Sequence, residues 1–427
     1  MRFKSFAVLT VAMVAAFAAP SMARADAVTD WNVIASNSIV ATAGQPPAVA
    51  SLSFAIVQGA VYDAVNSIDQ EAYQPYLTAV PANPWDSKEA AVAAAAHDTL
   101  AWMFPAQAGP LQTAYDNYLA ALPDNPAGSK AAGKAVGQAA AAAMITARTG
   151  DGRFGPGPVL LPEAPGIWRP VPPSPAADPA PWIGNVKPFL VPDAEMLRTK
   201  GPNALTSRAY TKDYNEVKSI GSRTSTTRTP DQTEAAIWWQ MSGAFWNSVI
   251  RGISSREGVG IVDNARLFAM FNLSGADGFI GCYDDKYYWQ FWRPISAIRA
   301  GDSDGNPDTI GDPTWTPLFD PATAQQPGVA PLFTPPFPDH PSAHSCSSSA
   351  TVHAVQDFFN TDKLPFSAFS PRTGTTRSFE RLSDALDEVI NARVWGGIHF
   401  RTADEQGAKL GREVAQYEHV HYFRATH

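Results

Sequence analysis

The chain has 427 residues, 45% of them hydrophobic and 17% charged, which is enough apolar side chain for a sizeable core and excludes a largely disordered protein. Its formal net charge of −8 excludes a general binder of nucleic-acid backbone, which needs a basic face, so an anionic ligand must be held by a local cluster of cations. Thirty-seven prolines predict stiff, irregular connections, and two cysteines allow at most one disulfide.

Residues 1–25 read as a secretory signal peptide. Arg2 and Lys4 form the charged start, an apolar run extends from Phe6 to Ala19, and Ala23-Arg24-Ala25 is a small-x-small cleavage site before Asp26. No later run reaches the ~18 consecutive apolar residues of a transmembrane helix. The mature chain is therefore expected to be secreted or periplasmic, without an integral membrane segment. Residues 26–150 form an N-terminal helical region. Ser51 to Ser67 has apolar residues at helical spacing, Asp86 and Glu89 resemble a capping box for the run Ala90 to Phe104, and Ala131 to Arg148 is alanine-rich. Sustained period-two alternation is lacking here, so no strand is predicted.

Residues 151–206 are a proline-rich crossing whose Trp168, Trp182 and Phe189 predict packing onto the body. Residues 207–427 form a second helical region, with helices predicted over 207–221, 230–253, 257–281, 283–300, 342–360, 378–394 and 400–417. A second proline-rich loop, 301–340, interrupts them. The fold class is all-α, built of helical bundles. The length by itself sets no oligomeric state.

Three short segments of the second region carry chemistry. In the first, Lys286-Tyr-Tyr-Trp-Gln-Phe-Trp-Arg293-Pro294, the two cations are seven residues apart. On one helix that spacing puts both on one face, where they repel unless an anion lies between them. The bland alternative is two side chains snorkelling out of an apolar helix. The second segment runs from Pro335 to Ser345 and contains Phe337, Asp339, His340, Ser342, Ala343 and His344. Its proline-rich approach ends at Ser342, just before a helix pattern. A helix N-terminus there offers free N–H groups, Ala343 is small enough for close approach, and His344 can move a proton near neutral pH. In the third segment, Arg393-Val-Trp-Gly396-Gly397-Ile-His399, the glycine pair breaks the helix and lets Arg393 and His399 face one point. Each segment alone also reads as ordinary structure: an N-cap serine, a surface histidine, a helix-breaking turn.

The three together, Lys-x6-Arg-Pro, Pro-Ser-Ala-His and Arg-x5-His in that order, resemble the superfamily of vanadium-dependent haloperoxidases and type 2 phosphatidic acid phosphatases. Ala343 stands where that pattern has glycine, and Ala392 precedes Arg393 where it has serine. Asp404 lies five residues after His399 where the pattern has an acid at four. The text upstream, around Ala265-Arg266 and Ala276-Asp277, is similar to the longer, soluble bacterial haloperoxidase-like branch.

The resemblance implies an oxyanion site within the C-terminal bundle. Lys286, Arg293 and Arg393 would bind the equatorial oxygens of vanadate or phosphate, completed by Ser342 and the Ala343 N–H. His399 would bond directly to vanadium or phosphorus, and His344 would act as acid–base on the opposite side. Phe337 and His340 are the candidate halide or substrate pocket residues. The first reading is a vanadate cofactor with hydrogen peroxide and halide as substrates. The second is a secreted acid phosphatase acting on a phosphomonoester through a phosphohistidine at His399. The third is a non-catalytic oxyanion binder. Cys282, four residues before Lys286, and Cys346, two after His344, would come close if both motifs meet at one ligand, so a disulfide between them is expected.

Overall fold

The computed structural model describes residues 26–172, 178–240 and 242–426. The expected signal peptide lies outside the described residues. Among the described residues there are thirteen α-helices and one two-stranded hairpin.

The N-terminal part comprises α1 (Ala27–Ser36), which runs on as a π-helical turn over Asn37–Thr42, then α2 (Pro47–Ile68), α3 (Lys88–Met103), α4 (Ala108–Ala121) and α5 (Ser129–Arg148). Asp26 caps α1 by accepting from the Val28 and Thr29 N–H groups. Helices α1 and α4 went unpredicted because their apolar faces are short. The cap of α3 is Ser87, whose Oγ accepts from Ala90 N at 3.1 Å, not Asp86, which instead accepts from Asn83 N at 2.8 Å. Helix α2 is apolar on all sides. It is the one described helix long and apolar enough to cross a membrane by length and composition, and 94% of its apolar window is buried in the body. It is the central helix of the N-terminal part, packed on α3, α5 and α9 (Ile261–Trp289).

The crossing is strapped down by buried carboxylates. Asp277 of α9 accepts from the N–H groups of Phe189, Leu190 and Val191 at 2.6, 2.7 and 3.0 Å. At the end of α9, Gln290 adopts a left-handed conformation (φ 47°), and its amide pairs with Leu161 N and Val159 O at 2.9 Å each.

The C-terminal part contains α6 (Arg208–Ile220), α7 (Pro230–Trp238), α8 (Phe245–Glu257), α9, α10 (Pro294–Arg299), α11 (Ala343–Phe359), α12 (Leu382–Trp395) and α13 (Arg401–His421). The helix predicted over 230–253 is two helices. The break predicted near residue 282 is absent, and α9 runs through to Trp289. Arg293 is the N-cap of α10 rather than a member of the Lys286 helix. The two cations therefore meet through the turn at Gln290–Arg293, not through helical periodicity. Strands β1 (Phe366–Ser370) and β2 (Thr375–Phe379) form a hairpin with Phe366 opposite Phe379, where 378–394 had been expected to start a helix.

One apolar core runs from α1 to α13. Helices α11 and α13 approach almost backbone to backbone. A Cβ on Gly411 would lie 2.2 Å from the Cys346 carbonyl oxygen, so only glycine fits there. This contact sets the third motif against the second.

Candidate oxyanion-binding site

Lys286 sits in the last turn of α9 and is wholly buried. Its Nζ donates to the carbonyls of Pro338 (3.0 Å) and Asp339 (3.1 Å) and to that of Pro341. An ammonium has three N–H groups, so all are engaged by the loop that carries the second motif. Lys286 thus shapes that loop and brings a positive charge. Burial is the main force lowering its pKa.

Arg293 donates through Nε to Phe337 O (2.8 Å) and through Nη1 to Ile398 O (2.7 Å), while Nη2 has no partner. Arg393, in the last turn of α12, donates from Nη1 to Gln240 Oε1 at 3.1 Å and leaves Nε and Nη2 unpartnered. Both arginines are buried. Burial brings Arg293 down to about 10 and Arg393 to about 9, so both stay charged at neutral pH. Ser342 is the N-cap of α11 and its buried Oγ also lacks a partner. Ser342 N donates to Ala403 O, and Cys346 N closes the first helical bond to Ser342 O, which leaves the intervening N–H groups at the open helix end.

His399, 2% exposed, lies between α12 and α13, where Gly397 takes a positive φ of 74° and a Cβ would meet Gly221 O at 2.4 Å. Arg293 Nη1 is 3.0 Å from Nε2 and 3.4 Å from Nδ1 of His399. The two ring lone pairs diverge, so an atom close to both sits over the ring face. Burial, then the charges of Arg293, Lys286 and Arg393, hold His399 well below its usual pKa, so it is a neutral imidazole.

The acid beside His399 is Asp339, a residue of the second motif. Asp339 Oδ1 lies 2.9 Å from His399 Nδ1, and burial pushes this carboxyl well above the usual carboxylate range. Asp404, the acid of the third motif, accepts from Ser345 Oγ at 2.8 Å, and its charge acts on Arg393 and Arg293. Burial pushes Asp404 up to about 7. Asp339 carries no spacing signal. It became visible only once the chain folded back on itself.

His344 is half-buried and opens onto a cavity of about 350 Å³ between α2, α8, α9, α11 and the loop 331–337. Burial, then Arg393, Lys286 and Arg293, hold it well below its usual pKa. Phe337 lines that cavity and covers the cations, with Lys286 Nζ 5.3 Å and the Arg293 guanidinium 5.0 Å from its ring. His340, expected at the pocket, is a correction. It is 1% exposed and points away, its Nε2 2.8 Å from Thr199 Oγ1, which donates to Asp285 at 2.6 Å. The expected disulfide is also corrected. Cys282 and Cys346 are buried free thiols, and Cys282 Sγ instead donates to Pro341 O at 3.5 Å.

A tetrahedral oxyanion fits these residues. Three cationic side chains, four unpartnered donor atoms (Arg293 Nη2, Arg393 Nε and Nη2, Ser342 Oγ), a helix N-terminus and the His399 imidazole belong to one buried cluster. At an effective dielectric of ~20, each cation at ~4 Å attracts a unit anion by about 4 kcal/mol before desolvation.

Fold and site together define an all-α protein with a buried cluster of cationic side chains and unpartnered donors. Residues 266–426 match the sequence model of the VCPO second helical-bundle domain. Over 241 residues the chain is 27% identical to the vanadium chloroperoxidase of Curvularia inaequalis, covering 51% of this chain and 37% of that protein's length. The fold matches a bacterial vanadium-dependent iodoperoxidase with a TM-score of 0.74 at 22% identity, covering 94% of this chain and 97% of that one. A holo-type bacterial vanadium-dependent chloroperoxidase matches with a TM-score of 0.65 at 15% identity, covering 94% and 93% of the two chains. Residues 266–426 are thus similar to that domain, and the helical fold is shared with solved bacterial vanadium-dependent haloperoxidases.

Proposed function

We propose that the protein is a vanadate-dependent haloperoxidase that oxidises halide with hydrogen peroxide. The observation that carries this reading is the set of unpartnered buried donors around a neutral His399, opening through His344 onto a cavity. The relatives' names, a chloroperoxidase and an iodoperoxidase, point the same way. Bound vanadate would supply a Lewis acid that activates peroxide for two-electron oxidation of halide.

The chain's own residues do the rest. Arg293, Arg393, Ser342 and the α11 N-terminus bind the anionic oxygens. Lys286 holds the 338–341 loop in place and adds charge. His399 would offer Nε2 to the central atom, and Asp339, 2.9 Å from Nδ1, would favour the tautomer that leaves Nε2 unprotonated. His344, a neutral imidazole held there by burial and the neighbouring cations, accepts and returns a proton. Phe337 shields the cations from water.

The second reading is an acid phosphatase. The same neutral His399 would serve as nucleophile, with His344 protonating the leaving oxygen. One experiment separates them: the purified chain is stripped of oxyanion, titrated with orthovanadate, and assayed for halide oxidation and phosphomonoester hydrolysis in parallel. The haloperoxidase reading expects vanadate to switch halide oxidation on and to suppress any hydrolysis. Fast hydrolysis without vanadate, with negligible halide oxidation in its presence, would establish the phosphatase instead.

A further inference from the structure

We propose that residues 198–203 of the proline-rich crossing are a clasp that holds the three motif-bearing segments in register, with Thr199 as the positioning residue that keeps Asp339 against His399. The proposal rests on the oxyanion-binding reading of the site and is the same for either reaction.

The crossing carries none of the three motifs, yet this stretch bonds to the segments of all three. Toward the end of α9, Arg198 donates through Nε and Nη2 to the two carboxylate oxygens of Asp284 at 2.8 and 3.1 Å. Thr199 donates through N and Oγ1 to Asp285 Oδ2 at 3.0 and 2.6 Å. Gly201 takes a positive φ of 84° and passes so close to the Trp289 indole that a Cβ would lie 2.5 Å from it. Toward α13, which starts just after His399, the Gln406 amide pairs with Lys200 N at 3.0 Å and with Gly201 O at 3.1 Å. Asn203 Nδ2 donates to Thr402 Oγ1 at 2.7 Å in the first turn of the same helix. Toward the second motif, Thr199 Oγ1 lies 2.8 Å from His340 Nε2.

The Thr199 hydroxyl is the centre of the clasp. Its one hydrogen goes to Asp285, so toward His340 it is an acceptor, and His340 Nε2 carries the hydrogen of that bond. Its other lone pair accepts from Gly201 N at 3.3 Å. Asp285 and His340 are both buried, so losing this hydroxyl would leave polar atoms of each with no solvent to turn to.

Consecutive residues of α9 thus hold one loop from two sides. Lys286 takes the backbone carbonyls of Pro338, Asp339 and Pro341, while Asp285, through Thr199, takes the His340 ring. Asp339 lies between these anchors, with its Oδ1 2.9 Å from His399 Nδ1. With the His340 ring released, the loop hangs on a single ammonium, whose donors rotate and tolerate many directions. Asp339 then shifts against His399, and the imidazole loses its orienting neighbour.

The test uses the full chain with orthovanadate as probe, followed by calorimetry. Thr199→Val keeps the shape and removes the hydroxyl. It should weaken orthovanadate binding about ten-fold or more, as loss of an orienting partner does, and should shift the ¹⁵N resonances of the His399 ring in the ligand-free protein. Thr199→Ser keeps the hydroxyl and should restore both. A lower Tm for Thr199→Val with wild-type affinity and wild-type ring resonances would overturn the proposal, because packing alone would then explain the contacts. Should Thr199→Val fail to fold, His340→Leu against His340→Gln makes the same comparison, since glutamine returns an N–H donor to Thr199. A wild-type chain that does not bind orthovanadate would remove the oxyanion reading, and the His399 resonances would then decide the clasp by themselves.

Discussion

Arg393 leaves two buried N–H groups without an acceptor, an arrangement that costs stability unless a ligand fills it. Charge-assisted hydrogen bonds are worth about 1.5–3 kcal/mol each. Arg393→Gln should therefore weaken orthovanadate binding by about a hundred-fold or more in calorimetry, and unchanged affinity would take Arg393 out of the cradle. Asp339→Asn keeps the shape but presents a different partner to His399 Nδ1. Loss of such an orienting partner costs about 10–100-fold in affinity. We expect that loss in orthovanadate titrations, with a shifted ¹⁵N resonance for the His399 ring in the ligand-free protein. A purely structural Asp339 would leave the ring tautomer alone. At this scale the placement was legible: Arg293, Ser342, His344, Arg393 and His399 are brought together as their motifs suggested. Asp339 and the inward turn of His340 were not, because partners distant in sequence decide where a buried side chain points.

Helix packing places those residues. Gly411 lets α13 lie against α11, and Gly411→Val would push a branched side chain into the Cys346 carbonyl and the Ala350 N–H, 2.2 and 2.6 Å from where its Cβ would sit. Overpacking of this kind costs about 1–3 kcal/mol, seen as a lower Tm, and the shift of α13 should weaken oxyanion binding too. Retained Tm and affinity would mean that the two helices can part freely. Asp277→Ala leaves three N–H groups of the crossing unpaired in a buried place, so protease susceptibility should rise between residues 186 and 200 before anywhere else. Most helices were visible as periodic runs. The break after Trp238, the unbroken α9 and the β1–β2 hairpin were not. Periodicity measures apolar spacing, whereas helix ends here depend on turns such as the left-handed Gln290 and on what covers them.

Across the whole molecule, buried ionisable groups link stability to pH. Glu418 is fully buried, accepts from Ser274 Oγ at 2.9 Å, and is pushed by burial from 4.5 up to about 8. The folded chain thus holds a proton that the unfolded chain releases between these values. Its stabilising contribution is complete below about 4.5 and is lost as pH rises through about 8. At about 1.4 kcal/mol per unit, the loss amounts to a few kcal/mol. Glu418→Gln should flatten the fall in urea-melt stability between pH 6 and pH 9, and an unchanged slope would place the titration elsewhere.

The amino-acid sequence by itself determined the all-α class and the three ordered motifs, since helical periodicity and motif spacing are both written in local sequence. The tertiary structure alone decided that Lys286 spends its N–H groups on a loop, that Asp339 rather than Asp404 meets His399, that Cys282 and Cys346 are neighbouring free thiols, and that a cavity without charged side chains among the described residues opens over His344. Each of these depends on which distant backbones come within hydrogen-bonding reach, and only close packing of the helices sets that.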